Sequence, residues 1–123
     1  MTTQTHPLTL PHAQRTYRVL DEVAAERARQ HALLPARAIG YDCADPAVPL
    51  DRKLRTLVEE VGEVAQAIDI LELCGAPTFL LCHEQLRNEV LQVAAVAVAI
   101  VESLTPHSTI HDSKIQRTTN HEP

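Results

Sequence analysis

Aromatic side chains are almost missing from this sequence: Tyr17, Tyr41 and Phe79 are the whole complement, and there is no tryptophan. A core must then be built from Leu, Val, Ile and Ala, which pack helix against helix better than they fill an aromatic-rich sandwich. Glycine is equally scarce, and three are too few for the tight turns of an all-β fold. Positive charge is short as well. Eleven Lys and Arg against sixteen Asp and Glu leave a net charge of −5, which argues against nucleic acid as the main partner. Cys43, Cys74 and Cys82 are odd in number and have no CxxC spacing, so a reduced thiol set and a cytoplasmic location are expected. The longest apolar run, Val93–Val101, covers about half a bilayer core, so no membrane span is expected. The opening MTTQTHPLTLP has no basic segment followed by an apolar one, and does not read as a signal peptide.

What is present is helical periodicity. The 123 residues make one domain, and the aliphatic content is high enough for a core. Residues 1–11, with two prolines and no periodicity, read as a flexible lead-in. From His12 to about Leu33, Tyr17, Leu20, Val23, Ala24 and Ala28 recur at helical spacing. Pro35 ends that helix, and residues 35–50 form a long loop of the kind that often carries function. A second helix is predicted from an Asp51 N-cap to about Leu73, stopped by Gly75 and Pro77. After a short turn, a third runs from about His83 to Leu104. The domain so defined is 12–104, followed by a polar tail, 105–123. The expected fold is an all-α bundle of three main helices per chain, completed by dimerisation.

The carboxylates carry the chemistry. In the second helix, Leu54, Leu57, Val61, Ala65 and Ile68 make one apolar stripe, with Glu60 and Glu63 on adjacent turns along its flank. Gly62 and Ala67 are expected to keep that flank uncluttered. In the third helix, Glu89 falls on the stripe of Val93, Val96 and Ile100, and Gln92 lies one turn on. An ionised carboxylate aimed into an aliphatic stripe is costly unless it is paired or bound to a cation. A run such as EEVGE is by itself more often a solvated helix face. Joined to Glu89 on a facing helix, it predicts a site for a hard cation that prefers oxygen ligands.

The arrangement Glu59-Glu60-Val-Gly-Glu63, a gap, then Glu89-Val-Leu-Gln92 leading into VAAVAVAIVESL resembles the MazG-like nucleoside triphosphate pyrophosphohydrolases. The resemblance spans about residues 20–104 and is closest to small phage-type members. It implies Mg²⁺, with Mn²⁺ as a substitute, and conversion of a nucleoside triphosphate to the monophosphate and pyrophosphate, in the service of nucleotide-pool cleaning. Carried over by position, Glu60, Glu63, Glu89 and Gln92 are the metal ligands, and Glu59 and Glu60 the catalytic carboxylates. The family's second motif ends in Asp where this chain has Gln92, an uncharged ligand. An aromatic that relatives carry after the RQ segment is replaced by His31-Ala-Leu-Leu34, which leaves base stacking to Tyr41, Tyr17 or His31. Lys53 and Arg55 at the start of the second helix, and Lys114 and Arg117 in the tail, are the candidates for holding phosphates. A homodimer or dimer of dimers is expected. The alternative from another class is a non-catalytic helical module that dimerises and binds nucleotides, having lost turnover through Gln92. His107 and His111 have i, i+4 spacing, but Pro106 and polar surroundings make a helical zinc pair a poor reading.

Overall fold

A computed structural model describes residues 10–34 and 40–106. Three helices account for most of them: α1 (Leu10–Leu33), α2 (Leu50–Leu73) and α3 (Phe79–Leu104). Among the described residues there is no strand, and the regular structure is all helical. The C-terminal helix α3 is the central element, with α1 and α2 each packed against it. No described helix is long and apolar enough to cross a membrane.

The helix ends differ from expectation in ways the local chemistry explains. Helix α1 begins at Leu10, two residues early, because Pro11 sits in its first turn, where a missing N–H costs nothing. Asp51 is not the N-cap of α2. Pro49 holds that position, and Asp51 lies in the first turn, where its charge complements the helix dipole. Helix α3 starts at Phe79 rather than near His83. Thr78 is its N-cap, and the Cys82 N–H donates to the Thr78 carbonyl, so the stretch read as a turn is its first turn. Gly75 follows the Cys74 C-cap without a left-handed backbone. Residues 1–9, 35–39 and 107–123, and with them Lys114, Arg117, His107 and His111, lie outside the described residues.

Two corrections matter more. Cys74 and Cys82 form a disulfide, which overturns the expectation of a fully reduced set. The α2–α3 turn folds the chain back and brings their Cα atoms to 6.9 Å, a proximity that a spacing of eight does not announce. Cys43 alone is free, and it is buried. The second correction concerns the face of α2. Leu54, Val61 and Ile68 of the expected core stripe are exposed, whereas Lys53 and Ala67 are buried and Leu57, Glu60, Val64 and Leu71 half-buried. The core runs instead through Cys43, Val96 and Ala99, flanked by Ala44, Leu57 and Ile100.

The loop at 40–49 is pinned by Asp42. Its Oδ1 accepts from the Ala44 N–H at 2.9 Å and from Arg27 Nη2 at 3.3 Å, while Oδ2 lies 3.1 Å from His31 Nδ1. Burial by itself raises the Asp42 pKa, but these donors outweigh it and hold the carboxyl below its usual value. Arg27 Nη2 also reaches Glu102 Oε2 at 3.4 Å, so one guanidinium ties α1 to the loop and to the end of α3. A second tie between the helices joins Arg87 to Glu22.

Candidate metal centre

Helical spacing on the face of α2 turned toward α3 places Lys53, Leu57, Glu60, Val64, Ala67 and Leu71 one turn apart in succession. Packing that face against α3 sets Glu60 beside Glu89. Glu63, three residues on from Glu60, completes a group of three carboxylates with one ligand oxygen from each within 4.8 Å of the others. Glu60 and Glu89 are half-buried and Glu63 is exposed. The outer oxygen of Glu89, Oε1, accepts from Gln85 Nε2 at 2.6 Å. Its Oε2 and that of Glu60 are buried with no hydrogen-bond partner.

These carboxylates repel one another. Burial, followed by the charges of Glu63 and Glu89, raises the Glu60 pKa, and Glu26 of α1 adds to the repulsion. Buried carboxylate oxygens without donors are costly. A hard divalent cation would remove that cost, since it takes oxygen ligands and supplies the missing positive charge. The donor set therefore fits Mg²⁺ or Mn²⁺.

A cavity opens beside the cluster, sharing Glu60 with it. Val96 and Ala99 of α3 and Leu34 give it apolar wall. Arg27, Arg29 and Gln30 of α1, Tyr41, Asp42, Cys43, Thr56 and Gln92 give it polar groups. The Tyr41 hydroxyl donates to the Arg52 carbonyl at 3.0 Å and contacts Thr56 Oγ1, which fixes the ring at the edge of the cavity. Burial pushes the Cys43 thiol pKa up, although a hydrogen bond with Thr56 and the nearby Lys53 charge work against it.

The expected site residues divide. Glu60, Glu63 and Glu89 come together, and Gln92 and Tyr41 line the adjoining cavity. Glu59 is exposed and outside the group of three. Lys53, 2% exposed, is turned inward and does not line the cavity. Gly62 is not needed for clearance, because a Cβ there would meet nothing within 4 Å. Glu26, Arg27 and Arg29 are not marked by the sequence pattern: the spacing of α1 defines an apolar stripe, but no periodicity says which of its charges face another helix. No protein-family model matches this chain, nor does any curated protein or solved structure.

Proposed function

We propose that this chain is a MazG-like, Mg²⁺-dependent pyrophosphohydrolase that converts a nucleoside triphosphate to its monophosphate and pyrophosphate. The observation that carries this reading is the convergence of Glu60, Glu63 and Glu89 from two helices, with buried, unpartnered oxygens on Glu60 and Glu89, at the edge of a cavity. Those three residues hold the cation. When bound, Mg²⁺ offsets phosphate charge, orients the chain and acidifies water for attack. Glu59, exposed beside the ligand Glu60 and outside the group of three, is left as the carboxylate to accept a proton from the attacking water. Tyr41, Gln30 and the apolar wall of Val96, Ala99 and Leu34 support a nucleoside lodged in the cavity.

Self-association belongs to the same reading. Leu50, Leu54, Val58, Val61 and Ile68 form an exposed apolar line along α2, and Val98 and Val101 are exposed on α3. Apolar lines of this kind favour burial against a second copy.

The test is pyrophosphate release from a panel of normal and damaged nucleoside triphosphates, with Mg²⁺ and without it. Pyrophosphate and monophosphate in equal amounts are expected with Mg²⁺ only. The second reading, a nucleotide-binding module without turnover, draws support from the uncharged Gln92 at the cavity wall. Binding of triphosphates without pyrophosphate release would establish it instead.

A further inference from the structure

Two arginines of α1 face the cavity, and they are not equivalent. Arg27 is committed: its side chain is 13% exposed and its Nη2 serves both Asp42 and Glu102, on two other elements of the fold. Arg29 is half-exposed and, among the described residues, pairs with Glu26 alone, three residues earlier on the same helix, through Nε to Oε2 at 2.8 Å and Nη2 to Oε1. The contact is bidentate and Glu26 is only 17% exposed, so it is stronger than an ordinary surface pair, but both partners lie on one helix and the guanidinium can exchange one pair of oxygens for another without any other element moving. Glu26 itself sits near enough to the cluster to add to the repulsion felt by Glu60. Arg29 is thus a planar cation on the wall of the cavity that Glu60 also lines, and among the described residues it forms no hydrogen bond or ion pair to another element.

Charge balance gives it a destination. Three carboxylates and one divalent cation leave no positive surplus for a phosphate chain. Of the described residues lining the cavity, Arg27 and Arg29 are the cationic ones, and Lys53, expected in this role, is turned away. A guanidinium fork matches phosphate oxygens two at a time. We propose that Arg29 binds the substrate's phosphate chain, leaving Glu26 and turning onto the phosphates at the mouth of the cavity. The proposal rests on the pyrophosphohydrolase reading and names the phosphate-binding group that α2 and α3 do not supply.

The probes are Mn²⁺ alone and then inorganic tripolyphosphate, titrated calorimetrically into full-length wild type, Arg29→Gln and Arg29→Lys. Circular dichroism checks that each variant keeps its helices. Arg29→Gln is expected to take up Mn²⁺ about as tightly as wild type, since Arg29 is not one of the three residues that would hold it. Its affinity for tripolyphosphate should fall at least about tenfold, and Arg29→Lys should recover part of that loss, charge without the fork. In steady-state hydrolysis the same loss should appear in KM more than in kcat. If wild type binds both probes and Arg29→Gln binds tripolyphosphate within about twofold of it, the proposal is wrong and the metal reading stands. Loss of Mn²⁺ binding in Arg29→Gln also overturns it, by making Arg29 a support of the cluster. A wild type that binds no Mn²⁺ overturns the functional reading and this proposal together.

Discussion

The two sides of α2 invert the usual arrangement. Toward α3 it presents Lys53, Glu60 and, at the margin, Glu63, interleaved with Leu57, Val64 and Ala67. Away from α3 it presents Leu50, Leu54, Val58, Val61 and Ile68, with Val58 60% and Leu54 58% exposed. Hydrophobic burial alone would rotate the helix so that the aliphatic line met α3. That it does not places carboxylates where they repel and leaves aliphatics uncovered. Each side is then short of something: the inner one of positive charge, the outer one of a cover. The proposed cation and the proposed second copy of the chain would supply the two, and the following experiments break or sharpen that contrast.

The largest effect is expected on the inner side. Replacing Glu60, Glu63 or Glu89 by Gln should lower Mg²⁺-dependent turnover by at least about a hundredfold, the upper end of what losing even an outer partner of a metal ligand costs. Helicity by circular dichroism should stay intact. Wild-type turnover in all three variants would dissociate the carboxylates from the activity.

On the outer side, Val58→Asp puts an unpaired charge into the proposed interface and should weaken self-association by at least about tenfold. Sedimentation velocity across a concentration series reads this directly. A wild type that stays monomeric at every concentration would show that the aliphatic line needs no second copy.

Gln92 lines the cavity next to Glu60, and Gln92→Asp should restore an anionic ligand at little cost in volume. Mg²⁺ affinity should rise by about tenfold, measured by calorimetry. If Gln92 serves to orient water, turnover falls even as the metal tightens. An unchanged affinity would remove Gln92 from the neighbourhood of the cation.

The smallest effect concerns the cost of the inner side before metal arrives. The Glu60 pKa is raised in the fold above its ordinary 4.5, so its contribution to stability is full below that value and is lost as pH rises through the folded one. Glu60→Gln should therefore raise the Tm of the metal-free protein at neutral pH by about 1–3 °C, the gain vanishing in mild acid. Saturating Mg²⁺ should reverse the order and leave wild type the more stable. Equal Tm values with chelator present would mean that the cluster carries no repulsion.

Much of this was legible beforehand for identifiable reasons. Scarce aromatics and glycines, with apolar residues at three and four, left helices as the way to bury aliphatics, and Pro35, Gly75–Pro77 and Pro106 bounded them to within a few residues. The meeting of Glu60, Glu63 and Glu89 was legible too, because i, i+3 spacing joins two of them and Glu89 interrupts an apolar stripe. The helices and the Glu60–Glu63 pair are local, set by the chain's own geometry over one or two turns, whereas Glu89 joins them only through packing of α3 on α2. Which line of α2 faces inward was not local. Leu54, Val61 and Ile68 and the line through Leu57, Val64 and Ala67 both have helical spacing, and only docking against Val96 and Ala99 of α3 chose between them. The same docking buried Lys53 and brought Cys74 to Cys82, while the packing of α1 on α3 set Arg29 on the cavity wall and Glu26 near Glu60. Sequence by itself determined the helices and the pairing of Glu60 with Glu63 on one of them, because backbone periodicity needs no partner. Which charges those carboxylates meet was decided by tertiary structure alone, since it depends on how one helix is rotated against another.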